Sequence, residues 1–268
     1  MFEESQRRAE LQRLYVDENK TVGEISSVLG IGVATVFQRM LRLGIPSTPE
    51  QKPTYSARTR SDIVIPSEYS PALAEFFGIM LGDGTLSHYQ AVVTLGTKEL
   101  AYAEYVILLM EKLFSVRPKI GVRKNGYRDV YMGSTALTAW LRSGGLVRNK
   151  VASQVDIPNW IFSDDRYMQG FLRGFFDTDG SVYRLKFGIQ VSFTNHSAPL
   201  LNSVRRALIL LGYHPSSVSV YRTYLTRRRD VIKFFEEIVP ANQKHRRRFE
   251  MFRNQIWVGS PVGSGARL

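Results

Sequence analysis

The chain has 268 residues, 44% of them apolar and 12% aromatic, with 36 Lys and Arg against 24 Asp and Glu for a formal charge of +12. Such a composition buries real cores and excludes a mainly disordered chain, while the absence of cysteine excludes disulfide frameworks, thiolate zinc sites and cysteine nucleophiles. No apolar run approaches the roughly 18 residues a membrane helix needs, and the first residues form no signal-peptide apolar region, so an intracellular protein (cytoplasm or nucleoid) with no membrane partner is expected. Taken in chain order, Arg7–Val16 reads as a helix with Leu11, Leu14 and Tyr15 on one stripe. Thr21-Val22-Gly23-Glu24 is a capping box that opens a second helix, through Ile25 and Val28 to Leu29, ended by Gly30. Gly32 caps a third helix, Val33–Leu43, stopped by Gly44 and Pro46.

Three short helices with a tight glycine-containing turn before the last resemble the resolvase-like helix-turn-helix family, whose last helix enters a major groove. Val36, Met40 and Leu43 are expected in the core of this small all-α domain (residues 1–45). Thr35, Gln38, Arg39 and Arg42 face outward as candidate DNA contacts. The first 50 residues carry 6 basic and 7 acidic groups, so this is an auxiliary grip or a protein-contact module. Residues 46–70, with Pro46, Pro49, Pro53 and Pro66 among polar residues, read as an extended linker.

Beyond the linker the chain repeats. Ala74-Glu75-Phe76-Phe77-Gly78-Ile79-Met80-Leu81-Gly82-Asp83-Gly84 matches Gly170-Phe171-Leu172-Arg173-Gly174-Phe175-Phe176-Asp177-Thr178-Asp179-Gly180 at a constant offset of 96. Small residues recur every fourth position in both copies, Ala74/Gly78/Gly82 and Gly170/Gly174/Thr178, which clears one helix face. Interior glycine costs a helix about 1 kcal/mol relative to Ala, so something must approach each face closely. The two helices themselves are the natural pair, packed side by side in parallel, with their bulky residues directed into two separate cores. Both then end in an acid, Asp83 and Asp179, against the negative end of the helix dipole. Two such carboxylates in one place repel, and a divalent cation with oxygen ligands, magnesium or manganese, relieves them.

The strands that follow are legible by alternation. From Tyr183 to Thr194 odd positions are apolar, and even positions Arg184, Lys186, Gly188, Gln190, Ser192 and Thr194 are polar or small. This is a half-buried β pair turning near Gly188, with a polar row free to read a groove. Gln90, Thr94 and Thr97 correspond to Gln190, Thr194 and Ser197 at offset 100, so the second hairpin is four residues longer. Helices are expected over Lys98–Phe114 and Ala198–Leu211. Pro118–Lys124, the turn Asn125-Gly126 and Tyr127–Gly133 form another hairpin, and Ser217–Thr226 its counterpart. Arg117, Lys119, Arg123, Arg128 and Tyr131 in the first half are candidates for nucleic-acid contact. In the second they are Tyr221, Arg222, Thr223, Arg227, Arg228 and Arg229. Residues 166–268 hold 17 basic against 6 acidic groups, so a polyanion is gripped mainly there, through counterion release. Lys244–Arg248 is expected as a backbone-binding or solvated helix face.

Phe76–Gly84 and Leu172–Gly180 resemble the paired motifs of the LAGLIDADG homing endonucleases in their single-chain, two-motif form, over roughly residues 70–240. The resemblance implies an α+β fold: two pseudo-symmetric αββαββα halves with antiparallel saddle sheets, residues 71–160 and 161–255, beside the helix-turn-helix domain and a tail, 256–268. It implies a monomer that hydrolyses both strands of a long site in double-stranded DNA with Mg2+ or Mn2+. Asp83 and Asp179 would be the catalytic metal ligands, joined by the backbone carbonyls of Gly82 and Thr178. The family usually adds peripheral basic or amide side chains. Here the matching positions are Leu95 and Gly96, which cannot act, and Asn195 and His196; Lys98, Lys186 or Arg184 are substitutes. That asymmetry points to unequal strand rates or nicking. Asp177, matched by Leu81, is expected to pair with an Arg or a backbone group instead of a metal. The second reading is a cleavage-inactive DNA-binding regulator or RNA maturase of the same fold. An intein is disfavoured, since residue 1 is neither Cys nor Ser and Gly265-Ala266-Arg267-Leu268 lacks a splicing Asn.

Overall fold

Serine and threonine hydroxyls, glycine turns and small-residue stripes set most element boundaries of this chain. A computed structural model describes residues 2–18, 20–45, 62–147, 150 and 152–258, with the backbone alone for residues 2–5. Two compact units emerge, residues 1–59 and 60–268. The linker expected at 46–70 lies outside the described residues from 46 to 61, and the expected tail from 259 onward. No helix among the described residues is long and apolar enough to cross a membrane.

In the first unit, α1 (Phe2–Gln12) begins five residues ahead of the expected Arg7 and runs on as a π-helical turn over Arg13–Asp17. The Thr21 hydroxyl accepts the Glu24 N–H while Glu24 accepts the Thr21 N–H at 2.7 Å, which opens α2 (Val22–Leu29). Gly30, left-handed at φ 63°, closes it, and α3 (Val33–Arg42) follows from Gly32. Leu11, Leu14, Tyr15, Ile25, Val36, Met40 and Ile45 make the core. Thr35, Gln38 and Arg42 are exposed as expected, whereas Arg39 is half-buried; Val33, Phe37 and Leu41 are also exposed, one turn apart.

The second unit is organised by α4 (Pro71–Gly82) and α7 (Asp165–Asp179). A Cβ built on Gly78 would stand 2.2 Å from the Phe171 carbonyl oxygen, and one on Gly174 2.0 Å from that of Glu75. One on Gly170 would meet the Pro71 oxygen at 2.4 Å, and one on Gly82 the Thr178 hydroxyl. The helices therefore touch backbone to backbone at Gly78, Gly170 and Gly174, and at Gly82 the backbone of α4 meets the Thr178 side chain. Their bulky faces do not feed two separate cores. One continuous apolar cluster runs from Leu73 to Phe249 through both helices, because rods this close leave no polar layer between the halves.

In the first half β1 (Gly84–Leu86), β2 (Gln90–Leu95), β3 (Lys119–Val122) and β4 (Arg128–Gly133) form an antiparallel sheet in the order β1-β2-β4-β3. Two further helices complete an αββαββα unit, α5 (Leu100–Phe114) and α6 (Thr135–Ser143). The second half has β5 (Gly180–Arg184), β6 (Ile189–Thr194), α8 (Ala198–Leu210), β7 (Arg222–Leu225), α9 (Arg228–Glu237) and α10 (Gln243–Arg253). Its antiparallel sheet has three strands, β5-β6-β7; the strand expected from Ser217 is reduced to an isolated bridge between Ser219 and Arg222. Side-chain bonds there supplement the backbone bonds of Ser216 to Tyr224 and of Ser219 with Arg222. The Ser216 hydroxyl accepts the Tyr224 N–H, and the Thr223 hydroxyl donates to the Ser216 carbonyl. Gly84 pairs with Val93 and Gly180 with Phe193, so the second hairpin carries the four extra residues read from the offsets.

Candidate active site and nucleic-acid interface

Each acid sits where its helix turns into a strand. The glycine after it is obligatory for space: a Cβ on Gly84 would lie 2.4 Å from the Met80 Cα, and one on Gly180 2.3 Å from the Phe176 oxygen. The abutting stripes bring the two helix ends together, so that a Cβ on Gly82 would stand 3.4 Å from the Asp179 carboxyl carbon. Burial raises the Asp83 carboxyl above its ordinary range; Lys244 and Lys150 oppose the rise and Glu99 adds to it. Burial pushes Asp179 up to about 6, with the Asn195 amide opposing, the Asp83 charge adding, and Lys150 and Lys244 opposing.

The cationic surroundings come from segments far away in sequence. Lys150 donates to the Gly82 carbonyl and, at 3.3 Å, to that of Met80. Burial lowers its pKa, while the charges of Asp179 and Asp83 favour the ammonium. Lys244 binds Glu99 at 2.7 Å, and Asn242 reaches the same oxygen at 2.8 Å. Burial alone would raise the Glu99 carboxyl, but its bonds to Lys244, Asn242 and the Gly96 N–H hold it low. Asp177, pushed up to about 7 by burial, accepts the N–H groups of Ala241 (2.8 Å) and Asn242 (3.0 Å). This is the expected backbone partner, and it fixes the start of α10, which carries Lys244 to the site.

The expected peripheral residues divide. Asn195 donates to Asp179 at 2.6 Å and accepts the Ser197 N–H through its other end. His196 instead packs on the Tyr221 ring at 4.7 Å. Lys98 lines a cleft of about 750 Å³ with Tyr127, Lys244 and Arg247. Lys150, Lys244 and Glu99 were missed. Lys244 belonged to a basic run whose phase on the helix was unknown, and Lys150 lies in an irregular segment with no motif.

Cation fit can be judged from the donors. Two carboxylates and the Gly82 carbonyl are hard oxygens suited to magnesium or manganese, and the ammonium on that carbonyl marks a direction favourable to positive charge. Among the described residues no group of three or more His, Cys, Asp or Glu converges, so water and substrate oxygens must complete a coordination sphere. The set fits such an ion.

Strand alternation places the interface candidates. On the first sheet Ala91, Val93, Leu95, Val130 and Met132 face the helices, leaving Gln90, Val92, Thr94, Asp129, Tyr131 and Lys119 on the open face. Val92, Tyr131 and Lys119 form one cross-strand row. Arg123 is tied to Asp129 by two bonds of 2.8 Å and to Thr94 at 3.1 Å. Two assignments are corrected. Arg128 shares the side of Val130 and donates to the Thr97 carbonyl, and Arg117 is held by Glu104 and Glu111 of α5.

On the second sheet Arg184 pairs with Ile189 and Tyr183 with Gln190, so even positions of β5 face the same way as odd positions of β6. The unbroken period-two reading fails at this turn. Tyr183, Gln190, Ser192, Thr194, Arg222 and Tyr224 share the open face, with Ser192 buried among its neighbours. Arg184 belongs to the core-facing parity and, with Lys186, lines a cleft beside Arg228 and Trp257. Thr223 is fully buried, so it reads nothing. Arg227 caps α9, Arg228 stacks on Trp257 at 4.8 Å, and Arg229 lines a groove with Lys233; all three stand off the sheet face. Tyr221 is exposed at the turn before β7.

Two helices abutting through small residues, an acid at each end and an antiparallel sheet after each define the LAGLIDADG fold. Residues 166–239 match the family model of the LAGLIDADG-like domain. It is 32% identical over 117 residues to the replication factor C small subunit of Methanocaldococcus jannaschii, covering 43% of this chain and 6% of that protein. It is 22% identical over 201 residues to the probable cell division protein WhiA of Clostridium acetobutylicum, covering 69% of this chain and 62% of that one. The chain thus spans less than two thirds of either relative. The crystal structure of I-DmoI in complex with DNA and Mn aligns at 19% identity over 63% of this chain and 96% of that chain, with a TM-score of 0.45.

Proposed function

We propose that this chain is a site-specific endonuclease acting on double-stranded DNA with a divalent metal. The observation that carries the proposal is the pair of buried acids, Asp83 and Asp179, at two helix ends pressed together. Both are held above their ordinary pKa at a cost to the fold, which is the signature of a working site. The polar open faces of both sheets suit a B-form major groove, whereas the major groove of A-form RNA is too deep and narrow to read. On this reading Gln90 and Gln190, on the open faces, pair with adenine edges, and Lys119 and Arg222 meet phosphates. One chain carries both acids, so a monomer suffices. Thr35, Gln38 and Arg39 of the first unit add a further grip.

With both acids in one place, the two scissile phosphates must approach each other across the minor groove. Bound metal would supply an acidified water and charge stabilisation at the phosphoryl oxygens. Asn195 orients the Asp179 carboxylate, the Gly82 and Thr178 carbonyls flank the acids, and the Lys150 and Lys244 ammonium groups offset the charge that builds on the phosphorane. The reading is tested by selecting duplexes from randomised DNA and incubating them with Mg2+. Double-strand cleavage is expected from the natural chain; Asp83→Asn and Asp179→Asn variants should bind the same duplex without cutting it. Cleavage that survives in the doubly substituted protein rejects the assignment.

A cleavage-inactive DNA-binding regulator is the second reading, favoured by one feature. Lys150 already supplies a positive charge on the Gly82 carbonyl. Specific binding with no cleavage in Mg2+ or Mn2+ would select it.

A further inference from the structure

The turn that enters β7 is strained without any repayment from burial. Ser219 and Arg222 exchange both backbone bonds, at 2.9 and 3.0 Å, around Val220 and Tyr221, whose φ angles are 45° and 60°. Among the described residues no other two consecutive non-glycine residues are left-handed. A two-residue turn of this hand favours Asn-Gly. The first-half hairpin turns instead through Lys124-Asn125-Gly126, between Arg123 and Tyr127, with only its glycine left-handed at φ 83°. An L residue in this conformation costs roughly 1–2 kcal/mol, and a β-branched one is a marked outlier. Val220 is nonetheless 83% exposed and Tyr221 51% exposed, so no core contact demands these side chains.

The place of the turn explains them. The Asn195 N–H donates to the Tyr221 carbonyl at 3.1 Å, and the Asn195 side chain holds Asp179. Arg222 pairs with Thr194 at the end of β6. The turn therefore projects beside the second acid, and His196 packs against the Tyr221 ring. If the sheets fill two major grooves, whatever projects next to the acids faces the minor groove between them.

We infer, building on the endonuclease reading, that Val220 and Tyr221 form an apolar wedge that enters the minor groove beside the scissile phosphates and unstacks one base step. Apolar side chains inserted in this way kink a duplex and bring more of it onto the protein. The strain is then retained for contact, as at other functional turns. The first-half turn is polar, so the wedge is one-sided and the distorted step lies off the centre of the site, on the Asp179 side.

The test replaces the turn with its unstrained counterpart, Val220→Asn with Tyr221→Gly. This variant should melt no lower than the natural protein, so loss of folding does not confound the result. A duplex that the natural chain binds and cleaves is labelled with 2-aminopurine at successive central steps and bound in Ca2+. The natural chain should raise fluorescence several-fold at one step, and the variant should return it to the level of free duplex. Equal enhancement by the variant, or cleavage by the natural chain with no enhanced step, overturns the wedge alone. A chain that neither binds nor cleaves any selected duplex removes the wedge and the endonuclease reading together.

Discussion

Replacing Gly174 by alanine sets two opposing effects against each other. In an isolated helix Gly→Ala gains about 1 kcal/mol. Here the new Cβ would stand 2.0 Å from the Glu75 carbonyl oxygen and 3.0 Å from the Ile79 nitrogen. Both atoms are backbone of the partner helix and cannot swing away, so α4 and α7 must part by more than an ångström. Overpacking a tight core costs typically about 1–3 kcal/mol and occasionally more, and a rigid backbone neighbour places this site at the upper end. The net loss is about 2 kcal/mol, or roughly a 4–8 °C fall in Tm for a unit of this size. Gly188→Ala is the control, since nothing lies within 4 Å of its Cβ position. Thermal unfolding of the two variants, followed by cleavage or cation titration at a temperature where both are folded, measures the effect. Gly174→Ala should also weaken Mn2+ binding, because parting the rods separates the acids. A variant as stable as the natural protein would refute the claim that the backbones touch.

Asp179→Asn should stabilise the fold while removing function. The unfolded carboxyl ionises at its ordinary 3.8 and the folded one at about 6, so above pH 6 the fold bears a penalty of about 3 kcal/mol. Below about pH 3 both states are protonated and the gain should vanish; denaturant melts at about pH 8 and pH 3 check the sign, and a variant less stable at pH 8 refutes it. Lys150→Met should bind Mn2+ more tightly at pH 8, read by electron paramagnetic resonance, because the ammonium no longer occupies the Gly82 carbonyl. Its binding should also fade at higher pH on acidification, since both acids lose a counter-charge; unchanged affinity would place Lys150 outside the cation site. Gln190→Ala should lose about 1–3 kcal/mol of discrimination at one base pair, whereas Thr223→Val should lower Tm and leave discrimination intact. The reverse pattern in a binding selection would restore the uncorrected strand phase.

The features legible in the sequence were those that repeat or punctuate. The offset of 96 paired the glycine stripes, and its change to 100 anticipated the longer hairpin that pairs Gly180 with Phe193. Thr21 and Glu24 announced their helix because a capping box is local. Hairpin phase was not legible: with four residues between β5 and β6, facing positions differ in parity, and alternation on both strands looked like one continuous row. Tyr183 was overlooked and Arg184 chosen for that reason, whereas at the start of β7 three consecutive residues were taken without regard to alternation, which included the buried Thr223 and left out Tyr224. Lys150 and Lys244 escaped because long-range contacts alone bring them to the acids. Arg117 and Arg123 carry the same charge in neighbouring segments, yet each is claimed by a carboxylate that only the folded sheet and helix bring near.

Asp177 ties the start of α10 to the middle of the molecule, and through it Asn242 and Lys244 reach Glu99 in the first half. During synthesis the earlier acid, Asp83, is therefore made some 160 residues before the lysine that tempers it. A nascent chain stalled short of that helix would hold both motifs but an unfinished electrostatic environment around them. The charge balance around the first acid is thereby completed only when the last helix is in place.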